Sequence, residues 1–167
     1  MSNQSEPYVI FEVAGTNYAI SSANVQHVEM VENITTVPNA HRAVDGVVFS
    51  RGQVIPVLNL RARFGFERVA IDTRTRIVFV RMQQRVVGLI VDSAREFRTL
   101  AASSIRPIEE TLTGVSGSYL SGVTTINDRL AVILNLGAVL NLEIDATIAG
   151  VLENLPPQPS SIASVST

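Results

Sequence analysis

Apolar positions recur along this chain in short blocks of roughly five to eight residues, broken by turn formers. Residues 8–13 and 18–21 read as two strands around the turn Ala14-Gly15-Thr16-Asn17. Residues 24–31 alternate, with Val25, Val28 and Met30 or Val31 apolar and Gln26, His27 and Glu29 between them. Residues 34–42 form a loop punctuated by Pro38 and Asn39. Residues 76–82 and 85–92 predict a second hairpin around Gln83-Gln84, and 94–100 a further strand. The pattern holds no β-α-β alternation and no helical period long enough for a bundle, so the class is all-β.

Two longer hairpins carry one pattern twice. Gly46-Val47-Val48-Phe49-Ser50 runs through Arg51-Gly52 into Gln53-Val54-Ile55-Pro56-Val57-Leu58-Asn59-Leu60, and 122–136 repeats it around Asn127-Asp128. Gly46 to Leu58 is 12 positions, as is Gly122 to Leu134, and Leu-Asn-Leu closes each copy. A repeated unit predicts two small β modules side by side. Each hairpin should lead into a helical turn or two, over 60–64 and 136–142, with Asn59 and Asn135 as N-caps. Residues 67–74 read as a polar loop, and 101–118 as a long connection. Residues 1–7 are expected to be flexible, 143–155 to extend as a surface helix, and 156–167, rich in Pro and Ser, to be disordered.

Composition narrows the chemistry. The chain has 167 residues, 46% of them hydrophobic, with 5% aromatic and no Trp, so the core is built of Val, Ile and Leu. Without cysteine, thiolate catalysis, disulfides and Cys-based zinc sites are excluded. No apolar run reaches the ~20 residues that span a bilayer, and a cytoplasmic location is expected. The net charge of −2 argues against a general nucleic-acid footprint. All 13 basic residues are Arg, the cation best suited to partly buried protein contacts.

Catalytic motifs are weak. His27 and His41 are the only histidines, in no metal-spaced cluster, and both read as solvent-facing. Gly114-Val115-Ser116-Gly117-Ser118 lacks the second Gly and the strand-to-helix frame of a nucleophile elbow. Asp92 ends a strand with no second carboxylate near it in sequence. Arg61, Arg63, Arg68, Arg74 and Arg76 cluster, but only Phe64 and Phe66 accompany them, so a solvated face is favoured over a single-strand nucleic-acid surface. The remaining feature is Arg51, a guanidinium on a hairpin tip flanked by Val47, Phe49, Val54 and Ile55, which suits a protein-binding hot spot.

Tyr8-Val9-Ile10-Phe11, Val25-Gln26-His27-Val28, Gly46-Val47-Val48, Arg51-Gly52-Gln53-Val54-Ile55-Pro56-Val57, Leu60-Arg61-Ala62-Arg63-Phe64-Gly65, Gln84-Arg85-Val86-Val87-Gly88-Leu89-Ile90-Val91-Asp92 and Ile105-Arg106-Pro107 together resemble the CheW family, over residues 8–142. The resemblance implies two intertwined five-stranded β barrels sharing a hydrophobic core, with short helices at the subdomain ends. It implies an adaptor with no catalysis, recruited to membrane-associated arrays without inserting in the membrane; the missing cysteines, the two isolated histidines and the lack of a phosphate loop predict no cofactor and no metal. Such proteins couple the cytoplasmic tips of methyl-accepting chemoreceptors to the regulatory domain of the histidine kinase CheA, with further CheW-like domains in array rings as additional partners. Carried over by position, Val25, Gly46, Arg51, Gly88 and Ala94 fall on the receptor- and kinase-binding surfaces. His27 and Ser50 depart from the family pattern, where an acidic residue and a Leu are usual, as do Asn59 and His41. The first two lie near the expected receptor contact, which keeps open a non-flagellar pathway such as twitching motility or second-messenger control. A single-strand nucleic-acid barrel and a small hydrolase are the readings of other classes.

Overall fold

Ten strands and two short helices account for the apolar blocks, in a computed structural model that describes residues 4–108 and 119–140. In chain order these are β1 Ser5–Val13, β2 Thr16–Ser21, β3 Val25–Met30, β4 Val44–Ser50, β5 Gln53–Asn59, α1 Leu60–Arg63, β6 Arg76–Met82, β7 Arg85–Val91, β8 Ser93–Ala101, β9 Leu120–Ile126, β10 Arg129–Leu134 and α2 Leu136–Val139. The expected surface helix over 143–155, the tail 156–167 and the Gly114–Ser118 segment lie outside the described residues. The first strand starts earlier than predicted. Ser5, Glu6 and Pro7 already pair with Ala101, Leu100 and Thr99, so the segment expected to be flexible is partly strand.

The strands form two five-stranded sheets, ordered β8-β1-β2-β10-β9 and β3-β6-β7-β5-β4. The two orders match strand for strand. Each sheet holds one parallel pair, β10 with β2 and β5 with β7, and each has a long hairpin on one edge. The all-β class, the two five-stranded units and the terminal helices thus stand as predicted. The units are also intertwined, as the resemblance implies. The second sheet is the contiguous stretch β3–β7, whereas the first takes β1 and β2 from one end of the chain and β8–β10 from the other. A strand pattern reports the two hairpins but not which partner each strand finds.

Neither sheet closes by a continuous ladder, because β8 and β9, and β3 and β4, are unpaired edges. Each is instead drawn into a barrel-like curl by a single bridge. Thr35, beyond β3, pairs with Val47 of β4, and Arg106, beyond β8, pairs with Val123 of β9. Gly46 and Gly122 sit at these seams. A Cβ on Gly46 would lie 2.1 Å from the Thr35 carbonyl oxygen, and one on Gly122 would lie 3.0 Å from that of Arg106.

The curl gives three apolar clusters. Tyr8, Ile10, Ala19, Ile126 and Ile133 fill the first unit, and Val48, Ile55, Val57, Ile77 and Phe79 the second. Between them lies a larger shared core, drawn from both sheets and both helices: Val9, Phe11 and Val13 of β1, Val78 and Val80 of β6, Val87, Leu89 and Val91 of β7, with Leu60 and Leu136. This explains why β1, β6 and β7 read as unbroken apolar runs: one face lines a barrel interior and the other the shared core.

Arginine joins the two units. Arg63 on α1 donates from Nε to the Val139 carbonyl at the end of α2 and lies over the Tyr119 ring at 4.8 Å. Asn59 and Asn135 cap the two helices as predicted, accepting from the Ala62 and Ala138 N–H groups.

Candidate protein-binding site

The Arg51 hairpin is built by local rules. Arg51 and Gly52 both adopt left-handed backbone, at φ 51° and 80°, the type I′ geometry whose twist matches the flanking strands. Ser50 pairs with Gln53 at the mouth of the turn. The Arg51 side chain is 68% exposed. Beside it Phe49 is 56% exposed, and Met30 on the facing edge strand is 55% exposed. A cleft of about 450 Å³ opens between these edges, lined by Met30, Val48, Phe49 and Ile77 with the carboxylate-bearing Glu29 and Glu32.

Beneath the tip sits a polar cluster that the sequence hid. His27 was expected to face solvent; its side chain is only 10% exposed and stacks on Phe79 at 4.4 Å. Ser50 is buried. The Ser50 hydroxyl donates to Glu29 Oε2 at 2.8 Å, and His27 Nε2 lies 2.8 Å from the same oxygen. Arg51 Nε stands 3.8 Å from it. Alternation placed His27 and Glu29 on the polar face of a strand. Because the sheet curls, that face points inward at its mouth, where a polar group needs partners. Ser50 could have been suspected as the polar residue in an otherwise apolar β4, but its partner lies 21 positions away.

The cluster contains Ser, His and Glu, yet its order is wrong for nucleophilic catalysis. There the histidine stands between hydroxyl and carboxylate and takes the hydroxyl proton. Here the carboxylate stands between. Ser50 donates to Glu29 and is 3.5 Å from His27.

The other carried-over positions separate into two kinds. Val25 on β3 and Ala94 on β8 are half-buried and pack against the shared core. Gly46 and Gly88 are buried. A Cβ on Gly88 would lie 2.7 Å from the Ile77 side chain and 3.4 Å from the Phe79 ring. Gly46 and Gly88 thus shape the second unit from within, while Arg51 alone of the five projects from it.

The central arginines divide: Arg68 and Arg74 are exposed, as expected of a solvated face, whereas Arg61, Arg63 and Arg76 are half-buried and make structural contacts. Arg61 makes a bidentate pair with Asp92, Nε to Oδ1 at 2.9 Å and the terminal nitrogen to Oδ2 at 2.7 Å. Asp92 also accepts the Ala14 N–H at 2.8 Å and occupies the one-residue bend where β7 passes into β8 of the other sheet. Burial alone would raise the Asp92 carboxyl, but the Arg61 hydrogen bond, the Ala14 N–H and the Arg61 charge outweigh it and hold it below the usual range. Arg68 pairs with Asp45 at 2.8 Å, and Arg76 donates to the Thr73 and Thr75 carbonyls. The loop expected to be polar exposes Val69 and Ile71. His41 is half-buried and accepts the Ala43 N–H on Nδ1 at 3.0 Å. No helix among the described residues is long and apolar enough to cross a membrane.

A family model described as the CheW-like domain matches residues 7–143. Among curated proteins, the chemotaxis protein CheW of Bacillus subtilis is 32% identical over 138 residues, covering 83% of this chain and 88% of the relative. The chemotaxis protein CheW of Klebsiella aerogenes is 27% identical over 149 residues, covering 89% and 90%. Among solved structures, the scaffolding protein TtCheW from Thermoanaerobacter tengcongensis superposes with a TM-score of 0.76 at 26% identity, over 84% of this chain and 96% of that one.

Proposed function

Because the chain belongs to the CheW-like domain family, we propose that it is a non-catalytic adaptor of a bacterial chemosensory array, coupling chemoreceptors to the regulatory domain of the histidine kinase CheA. The observation that carries this reading is the Arg51 tip. It is an exposed guanidinium on a hairpin that also exposes Phe49, opposite the edge strand that exposes Met30, and the buried Ser50 at its base donates to Glu29. Rigid apolar surface around one arginine is the composition of a protein-binding hot spot. Two barrel-like units around one shared core give a compact body with separate outer surfaces, which suits a bridge between two partners. Val25 and Ala94, at the edges of the two sheets, supplement the Arg51 surface; Gly46 and Gly88 act from within by setting the backbone. The array would hold the protein at the cytoplasmic face of the membrane through its partners.

Co-sedimentation with receptor cytoplasmic fragments and the kinase from the same cell tests this. The reading expects the chain in the pellet with receptor assemblies and more kinase recruited when it is present. A chain that stays in the supernatant with both partners, or a salt-sensitive shift of single-stranded nucleic acid, would contradict it.

A further inference from the structure

We propose that His27 and Ser50 are specificity-determining positioning residues: they latch Glu29 inward so that the Arg51 fork stays available to a carboxylate on the partner. The inference rests on the adaptor reading and names the chemistry of the partner at that site.

Three cationic or polar donors compete for one oxygen, Glu29 Oε2. His27 Nε2 and the Ser50 hydroxyl both reach it at 2.8 Å, within full hydrogen-bond range, while Arg51 Nε is 3.8 Å away, at the limit of an ion pair. The inner donors are fixed. Ser50 is buried, and His27 is clamped against Phe79. Glu29 is itself 37% exposed and could swing outward if released. Outward it would engage the guanidinium fork that a partner needs, and neutralise the tip. Latched, it leaves the planar fork of Arg51 to make the bidentate carboxylate contact for which arginine is suited.

The surroundings fix the register of that partner. Met30 and Phe49 offer apolar surface in the cleft, but Glu29 and Glu32 line the same cleft and repel an acidic group there. An apolar side chain therefore enters the cleft while a neighbouring carboxylate meets Arg51. The partner is an apolar protein segment bearing one Asp or Glu beside its anchor.

Two readouts on His27→Phe, Ser50→Ala and the double variant His27→Phe/Glu29→Ala test the latch. Phe keeps the stack on Phe79 and removes only the donor. The first readout is solvent exchange of the Arg51 Nε–H by NMR on the free protein. Release of Glu29 should slow it roughly two- to fivefold in either single variant, the range of an exposed ion pair, and the double variant should restore it. The second is affinity for the purified kinase regulatory domain and receptor cytoplasmic fragment, which should fall by a similar factor in the single variants and recover in the double. Unchanged exchange in His27→Phe, or a double variant no better than the single, would overturn the latch. If the wild-type chain binds neither protein the adaptor reading fails, while the exchange result still decides the latch.

Discussion

Ser50 and Glu29 lie on opposite edges of one five-stranded sheet, yet the Ser50 hydroxyl donates to the Glu29 carboxylate at 2.8 Å. The contact closes by side chains what the backbone leaves open. The other sheet uses the same device, where Arg98 of β8 donates to Asn127 in the turn of the opposite hairpin at 2.8 Å. Ser50→Ala leaves a partly solvated Glu29 with one donor fewer, so the expected loss is ~0.5–1.5 kcal/mol, read as a lower urea midpoint at constant slope. An unchanged midpoint would mean that the Thr35–Val47 bridge holds the seam alone.

Gly46→Ala should be far worse. At φ +144° the backbone already disfavours an L side chain, and the new Cβ meets a carbonyl oxygen that cannot move without breaking the seam. A loss above ~3 kcal/mol is expected, with poor expression of soluble protein. Gly88→Ala meets side chains instead and should cost ~1–3 kcal/mol by overpacking. Binding lost in either variant should track unfolding, and circular dichroism melts separate this from a contact defect. Binding lost by a Gly88→Ala protein that melts like wild type would place Gly88 at the interface itself.

Much of this was legible in the sequence because it is local. Hairpin turns, strand runs, the Asn59 and Asn135 caps and the Arg51 tip depend on residues a few positions apart. What the sequence withheld is long-range. The swap of strands between sheets, the burial of His27 at a curled edge and the Arg61–Asp92 pair join segments 21 to 31 positions apart or more. Alternation says that two faces exist but not which face curvature turns inward, so it reads His27, Arg61 and Arg63 as solvent-facing where the fold half-buries them.

Acid should test the Asp92 bend. Its carboxyl is held below the unfolded value of about 3.9, so its contribution is complete well above that pH and disappears as pH falls through the lower folded value. Wild-type stability should therefore drop across the interval below about pH 4. Asp92→Asn, which keeps the shape but loses the charge paired with Arg61, should cost ~1.5–3 kcal/mol at neutral pH and show a shallower acid loss. Parallel acid profiles for the two proteins would remove Asp92 from the account.

Arg51→Asn separates folding from function at the tip. Asn tolerates the left-handed conformation that Arg51 is held in, so the hairpin should be unharmed or gain up to ~1 kcal/mol. Partner affinity should nevertheless fall, because the guanidinium is gone. A variant that melts lower than wild type would show that the Arg51 side chain supports the fold.

The most direct measurement is Arg51→Glu, with melting and binding to the receptor fragment and the kinase regulatory domain read on one preparation. The side chain is exposed, so the folding cost should stay within about 0.5 kcal/mol. Reversing a hot-spot charge should weaken binding to at least one of the two proteins by ~2 kcal/mol or more, which is more than tenfold. Wild-type affinity for both partners in a normally folded Arg51→Glu protein would contradict the account.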